Sequence, residues 1–277
     1  MMRLGDIEYS NCFPVHAQLI EEGPPPGVEL VRGTPGELNA ALAQGRIDVA
    51  PCSSIEYARH ADEYRLMPAL AIASDGAVGS ILLESSEEPA ALDGRIVAVP
   101  TASATSVVLL RGLLEEHWNV RPRYVWYDQR EVADPMAGDA AAVLRIGDVA
   151  LNRSVPGGRQ VLDLGAAWKR WTGLPFVYAL WQARWTTDRA AEFDRLHDAL
   201  LASLTWFRTN VRRLAETHAH RYGIQADRLQ TYWNSLGYVL DERMEQGLLD
   251  FYSMAVRLGE APVVPVLHWT AAARAAP

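Results

Sequence analysis

The sequence predicts an α/β protein whose last third is helical. In the first third, apolar β-branched runs alternate with apolar-periodic runs, which is the pattern of strands and helices in a mainly parallel, covered sheet. A second alternation of this kind starts near residue 96, and after residue 185 long amphipathic stretches take its place.

The first alternation contains three strand–helix units. The second helix has the clearest signals, because Thr34 is expected at its N-cap, Pro35 at its first helical position and Glu37 in a capping box, with Gly45 at its end. The predicted elements are a strand at Leu4–Tyr9, a helix at Phe13–Glu21, a strand at Val28–Arg32, a helix at Glu37–Gln44, a strand at Ile47–Ala50 and a helix that ends near Tyr64.

Two apolar runs, Leu66–Ser74 and Gly79–Glu84, lead into the second alternation. It is predicted to contain a strand at Ile96–Val99, a helix at Ser103–His117 and strands at Arg123–Tyr127, Ala140–Ile146, Gln160–Leu164 and Leu174–Gln182. The last third is predicted to form helices at Asp188–Arg221, Ala226–Leu236 and Asp241–Leu258, followed by an Ala-rich tail, Thr270–Pro277, that we expect to fray.

This order fits either tandem domains or an inserted domain. In the inserted arrangement, which we favour, residues 1–84 and 180–277 form one discontinuous lobe and residues 85–179 form the other. The chain would cross between the lobes near Ile81–Ser86 and near Phe176–Trp181. A ligand cleft is then expected between the lobes.

Composition narrows the classes of function. With 26 basic and 34 acidic residues the net charge is −8, and no basic block is present, so we expect no nucleic-acid partner. No uncharged apolar run reaches the roughly 18 residues of a membrane span. The first residues contain no apolar signal-peptide region, and only two cysteines occur, Cys12 and Cys52, so we expect a reducing cytoplasm and no metal site. The oligomeric state stays open, with a homodimer as one option.

Three short turns share one design. Tyr9–Cys12, Pro51–Tyr57 and Thr101–Ser106 each follow a predicted strand, precede a predicted helix and are rich in small polar side chains. Such turns direct backbone N–H groups and the positive end of the helix dipole outward. The sequence therefore predicts a cleft for a small anionic organic molecule.

The first two turns offer three candidate ligands. Asn11 either caps the following helix, a role that Asn fills well, or donates its amide to a substrate oxygen. One of Ser53 and Ser54 is expected to cap the next helix, which leaves the other to bind a carboxylate.

The second alternation offers five more candidates. Ser103, Thr105 and Ser106 supply more hydroxyl groups than a helix cap needs, and each hydrogen bond to a carboxylate is worth about 1.5–3 kcal/mol. Ser80 faces the cleft if the inserted arrangement is right. Asp148 either caps the turn that follows it or bonds a substrate hydroxyl.

Several of these segments also resemble one enzyme family. In chain order, the segments Ile7–Pro14, Ser53–Ala58, Ser103–Ser106, Ile146–Leu151 and Trp171–Val177 resemble motifs of the chorismate dehydratases of the futalosine route to menaquinone. The similarity runs from residue 3 to about residue 258. Five weak motifs in the same order make a specific signal.

The resemblance implies a fold and a reaction. The fold would be a two-lobed periplasmic-binding-protein-like (type 2) fold, with mixed, mostly parallel sheets flanked by helices and a helical C-terminal part. The enzyme would be a carbon–oxygen lyase that converts chorismate to 3-[(1-carboxyvinyl)oxy]benzoate and water without metal or organic cofactor. With the residue analysis, it assigns catalytic roles to Asn11 and Asp148 and substrate binding to Ser53, Ser54, Ser80, Ser103, Thr105 and Ser106.

Two other functions stay open. One is the related 1,4-dihydroxy-6-naphthoate synthase, whose first turn typically reads Ser-Pro-Cys-Pro-Asn-Asp, unlike residues 10–14 here. The other is a non-enzymatic cytoplasmic binding protein for a small carboxylate. The three turns contain no strong base, so the proton acceptor would be Asp148, Glu56, His16 or a carboxylate of the substrate itself.

Overall fold

Two five-stranded sheets organise residues 1–270, the part of the chain that the computed structural model describes. The predicted Ala-rich tail therefore lies, apart from Thr270, outside the described residues. Within residues 1–270 no helix is both long and apolar enough to cross a membrane.

The first sheet is built mainly from the N-terminal units. Its strand order is β2-β1-β3-β10-β4, in which β1 pairs in parallel with β2 and β3, whereas β10 is antiparallel to β3 and β4. Its strands and helices are β1 (Met2–Ile7), α1 (Phe13–Glu21), β2 (Val28–Gly33), α2 (Pro35–Ala43), β3 (Val49–Ser53), α3 (Ser54–Arg59) and β4 (Arg65–Ser74), with β10 at Phe176–Ala183.

The second sheet is built between β4 and β10. Its strand order is β7-β6-β8-β5-β9, with β6 parallel to β7 and β8 and with β5 antiparallel to β8 and β9. Its elements are β5 (Ile81–Ser85), β6 (Ile96–Pro100), α4 (Ala104–Gly112), β7 (Arg123–Tyr127), β8 (Ala142–Ile146), α5 (Gly147–Asn152), β9 (Gln160–Asp163) and α6 (Leu164–Thr172).

Each sheet thus contains one antiparallel strand, and in each case it is the strand that the chain enters on crossing from the other sheet. The crossings run through residues 75–80 and through the segment that contains α6, so β5 belongs to the second sheet and β10 to the first. The lobe boundaries at residues 84/85 and 179/180 stay a prediction.

Local sequence signals account for most element positions. The capping box at Thr34 is confirmed, because its side chain accepts from the Glu37 N–H while the Glu37 carboxylate accepts from the Thr34 N–H. The sequence analysis missed two helices, α5 and α6. Helix α6 begins at the Asp163 cap and ends at Gly173, which has a φ of 76° that favours glycine.

The C-terminal helices join the two sheets. They are α7 (Ala190–Tyr222), α8 (Ala226–Ser235) and α9 (Glu242–Arg257). Helix α9 packs on β10 of the first sheet and on α4 of the second, and a Cβ at Gly112 of α4 would lie only 2.0 Å from the Met254 sulfur. The hydrophobic core is continuous across both sheets as a result.

A buried ion-pair network stabilises the second sheet. Glu84 and Arg145 are each only 1% exposed, and Arg145 Nε donates to Glu84 Oε1 at 2.8 Å. Arg153 and Arg159 also donate to the Glu84 carboxylate, at 2.6 and 3.3 Å, and Asp134 bonds Arg159. Glu84 therefore compensates the buried charge of Arg145 and also pairs with the partly exposed Arg153 and Arg159.

We expect Glu84→Gln to lower the free energy of unfolding by about 3–5 kcal/mol, because it leaves the buried Arg145 charge without its carboxylate. Urea denaturation followed by circular dichroism measures this. Glu88→Gln, at an exposed position, is the matched control and should change stability by less than about 0.5 kcal/mol. Equal effects of the two substitutions would contradict a structural role for the network.

Candidate active site

A cavity of about 70 Å³ lies between the two sheets. Residues from the carboxyl ends of β1 and β3 line it on one side, and residues that follow β6 and β8 line it on the other. The carboxyl edge of parallel strands is where α/β proteins bind ligands. The cavity volume is below the usual range of about 300–1,000 Å³ for small-molecule sites.

The cavity wall is mostly apolar, and its polar groups are uncharged. Among the described residues, no Asp, Glu, Lys, Arg or His side chain lines it. Five of the predicted site residues do line it: Asn11, Ser53, Ser80, Ser103 and Ser106. Any anion bound here must therefore be held by neutral N–H and O–H donors.

Asn11 lies in the turn between β1 and α1. It is not the helix cap, because Cys12 occupies the N-cap position and makes no side-chain cap bond. The Asn11 side-chain oxygen is buried, and within residues 1–270 it has no hydrogen-bond partner. A buried amide without a partner is costly, so this side chain is available to a ligand.

Ser53 and Ser54 differ in their surroundings. The expectation that one of them caps α3 is wrong: Ser53 is the N-cap residue but makes no cap bond, and Ser54 Oγ donates to the Val177 carbonyl at 2.9 Å. Thr105 Oγ1 lies 3.4 Å from Ser54 Oγ and accepts from the Ile55 N–H at 3.2 Å. Thr105 therefore hydrogen-bonds the turn that carries Ser54 and Ile55. Neither Ser54 nor Thr105 lines the cavity, whereas Ser53 does.

The start of α4 presents an ordered hydroxyl pair to the cavity. Ser103 caps the helix by accepting from the Ser106 N–H at 3.3 Å, and its own hydroxyl donates to Ser106 Oγ at 2.9 Å. Because the Ser103 proton is used in this bond, the Ser106 proton is left to point toward the cavity.

Ser80 is held from both sides at the start of β5. Its carbonyl accepts from the Gly147 N–H at 2.8 Å, and its Oγ accepts from the Tyr232 hydroxyl at 2.8 Å. Gly147 has a φ of 62°, and a Cβ there would meet the Tyr9 ring at 3.5 Å, so glycine suits the position.

Asp148 does not line the cavity. Its carboxylate accepts from the Ser10 N–H at 3.1 Å and from the Ser10 hydroxyl, so a residue that follows β8 bonds the turn that precedes Asn11. Burial raises the pKa of the Asp148 carboxyl above its ordinary value of 3.8, although the hydrogen bonds from Ser10 oppose the rise. Neither the cap at Val149 nor direct contact with the cavity is observed.

The other two candidate bases are also away from the cavity. His16 is fully buried; its Nδ1 lies 2.9 Å from Asp6 Oδ1 and its Nε2 accepts from Trp181 Nε1 at 3.0 Å. Both ring nitrogens therefore have protein partners. Glu56 pairs with Arg59 at 3.0 Å on α3.

The cavity wall also includes residues that the sequence analysis did not assign to the site. Tyr178 lies in β10, where the apolar run predicted only a strand, and its hydroxyl lies 2.9 Å from Ser74 Oγ. Tyr9 is the first residue of the first polar turn, and that position was the available signal. Cys12 lines the wall too, but burial raises the pKa of its thiol well above the ordinary value, which makes it a poor nucleophile.

Comparison with known proteins identifies relatives over nearly the whole chain. A family model described as menaquinone biosynthesis matches residues 2–257. A chorismate dehydratase of Thermus thermophilus is 33% identical, with 94% of this chain and 97% of that protein aligned. A chorismate dehydratase of Campylobacter jejuni is 31% identical over 64% of this chain and 66% of that protein.

Solved structures agree on the fold. Protein AF1704 of Archaeoglobus fulgidus superposes with a TM-score of 0.78 at 20% identity, covering 93% of this chain and 97% of that one. The periplasmic aliphatic sulphonate binding protein SsuA of Escherichia coli superposes with a TM-score of 0.67 at 14% identity, covering 95% and 89%. The predicted periplasmic-binding-protein-like fold is confirmed.

The raised pKa of Asp148 predicts a pH-dependent stability. The folded chain retains this proton more tightly than the unfolded chain, so the contribution of Asp148 to stability is greatest at low pH and falls as the pH rises from 3.8 through the folded pKa. Asp148→Asn cannot titrate there. The urea midpoint of wild type minus that of Asp148→Asn should therefore decrease as the pH rises from 3.8 through the folded pKa of Asp148.

Asp62→Asn, at an exposed aspartate, controls for the loss of one acidic charge. A constant difference between wild type and Asp148→Asn at every pH would contradict the burial of the Asp148 carboxylate.

Proposed function

This chain belongs to the menaquinone biosynthesis family, and we propose that it is a dehydratase that converts chorismate to 3-[(1-carboxyvinyl)oxy]benzoate and water. The observation that carries the proposal is the donor-rich, uncharged cavity between the sheets, in a chain whose relatives are chorismate dehydratases. The reaction class is that of a carbon–oxygen lyase. It needs neither metal nor organic cofactor, because aromatisation of the ring supplies the driving force.

The polar groups of the cavity wall match a dianion that carries one hydroxyl. The Ser106 hydroxyl stands in the first turn of α4, where the helix dipole favours negative charge. It would hold one substrate carboxylate, and Ser103 would fix its orientation. Ser53 and Ser80 would bind the other polar groups, and the Asn11 amide would orient the reacting centre.

The proton acceptor is proposed to be a carboxylate of the substrate. The ring proton beside the enolpyruvyl ether passes to that carboxylate, and the C–H bonding electrons form the new ring double bond as the bond to the neighbouring ring hydroxyl breaks. The carboxylate then passes the proton to the departing hydroxide, which leaves as water, so the product remains a dianion. The proposal rests on the buried, paired state of His16 and on the pairing of Glu56 and Asp148 with protein groups. The enzyme then contributes orientation and donors rather than a base.

Asp148, Ser54 and Thr105 are proposed to hold the cleft closed rather than to touch substrate. Each bonds a residue on the other side of the cleft, Asp148 to Ser10 and Thr105 to the Ser54–Ile55 turn. We retain the two-lobed arrangement with an inserted second lobe as part of this proposal. A cytoplasmic location is proposed with it, since Cys12 and Cys52 are both free thiols.

The direct test is incubation of the purified protein with chorismate. We expect a benzoate-type ultraviolet spectrum to develop and the product mass to be lower than that of chorismate by one water. Boiled protein and Ser106→Ala are the controls, and Ser106→Ala should react more slowly.

Two outcomes would contradict the proposed function. Tight binding of chorismate without turnover would indicate a binding protein for small carboxylates. Neither binding nor turnover would favour the related naphthoate synthase.

The assignment of the proton acceptor has its own test. Asp148→Asn, Glu56→Gln and His16→Gln should each retain kcat within about tenfold of wild type, because none of the three takes the proton. Asn11→Ala is the comparison: it should lower kcat by about 100-fold with an unchanged melting temperature. A loss of several orders of magnitude in any of the first three would identify that side chain as the base.

A further inference from the structure

Helix α8 contacts the cavity wall from behind through two adjacent residues, Tyr232 and Trp233. The Tyr232 hydroxyl donates to Ser80 Oγ at 2.8 Å, and Trp233 Nε1 donates to the Ser10 carbonyl at 2.7 Å. We propose that Tyr232 is a positioning residue that fixes the Ser80 hydroxyl as a hydrogen-bond donor directed into the cavity. The inference rests on the proposed function, and Tyr232 itself does not line the cavity.

The direction of the hydrogen bond carries the argument. A serine hydroxyl has one proton to donate and two lone pairs that accept. The Tyr232 proton occupies one lone pair of Ser80 Oγ, and within residues 1–270 Ser80 Oγ makes no other hydrogen bond. The Ser80 proton is therefore left for an acceptor in the cavity, such as a carboxylate or ether oxygen of the substrate.

Tyr232 can hold this orientation because it is both fixed and permanently protonated. Its side chain is 5% exposed, and burial raises the pKa of its hydroxyl, so it donates at every physiological pH. Its neighbour Trp233 stacks on Phe13 with ring centroids 5.1 Å apart. The same turn of α8 is thus anchored to the first sheet while it reaches Ser80 of the second.

This anchoring links the two sides of the cavity. Ser10 directly precedes Asn11, and Trp233 donates to the Ser10 carbonyl, whereas Ser80 ends the crossing into the second sheet. One turn of α8 therefore sets where the Asn11 amide and the Ser80 hydroxyl stand relative to each other. Such preorganised donors cost no reorganisation when charge develops on the substrate.

The chain offers a matched control. Tyr238 is also buried, at 4% exposed, but within the described residues its hydroxyl has no hydrogen-bond partner. Tyr238→Phe and Tyr232→Phe each remove one buried hydroxyl and keep the ring. Only Tyr232→Phe removes a hydroxyl that orients Ser80.

The experiment measures kcat and KM for chorismate, together with melting temperature, in both variants. Tyr232→Phe should lower kcat/KM by about 10- to 100-fold, mainly through kcat, while it retains a melting temperature close to that of wild type. Tyr238→Phe should match wild type in both measurements. Wild-type kcat/KM in Tyr232→Phe would overturn the inference.

A double-mutant cycle with Ser80→Ala separates positioning from packing. If Tyr232 acts through Ser80, Tyr232→Phe should cause no further loss in the Ser80→Ala protein. An equal loss in both backgrounds would show that Tyr232 acts by packing and would overturn the inference.

Calorimetric titration with chorismate gives a second readout. If wild type binds chorismate without turnover, only the proposed reaction fails. In that case Tyr232→Phe should weaken chorismate binding to the protein that contains Ser80. It should not weaken binding to the Ser80→Ala protein. If wild type neither binds nor converts chorismate, both proposals fail together.

Discussion

The cavity must hold a charged ligand with uncharged groups, and this constraint governs the rest of the structure. In the described part of the chain no charged side chain lines the wall, so binding depends on hydroxyl, amide and backbone donors. A neutral donor stabilises the ligand most when its proton is already directed at the ligand. A hydroxyl that rotates freely loses conformational entropy when the ligand binds. The positions of protons therefore matter as much as the positions of heavy atoms.

Two hydroxyl pairs meet this constraint in the same way. Ser103 donates to Ser106 at the start of α4, and Tyr232 donates to Ser80 at the start of β5. Ser103 and Tyr232 each use their hydroxyl proton in this bond. The hydroxyl protons of Ser106 and Ser80 are therefore left for the ligand. Asn11 differs, because its buried amide oxygen has no hydrogen-bond partner within residues 1–270.

The helical C-terminal part supplies the rigidity that this arrangement needs. Helix α9 packs on β10 of the first sheet and on α4, which follows β6 of the second, and α8 anchors the turns that carry Ser10 and Ser80. Cross-cavity bonds at Asp148 add to this. By contrast, His16 is fully buried and bonded to Asp6 and Trp181, which fits a site that orients substrate and leaves proton removal to the substrate.

The sequence by itself determined the order of the strands and of the helices other than α5 and α6, the capping box at Thr34 and the small polar turns, because these depend on residues close together in the chain. Through motif resemblance it also pointed to the family. Which hydroxyls face the cavity was decided only by the tertiary structure. Thr105 and Ser106 are adjacent and chemically similar, yet Thr105 bonds the turn of Ser54 while Ser106 lines the wall. The partners that decide this lie 51 residues away for Thr105 and 152 residues away for Ser80, a separation that no local pattern encodes.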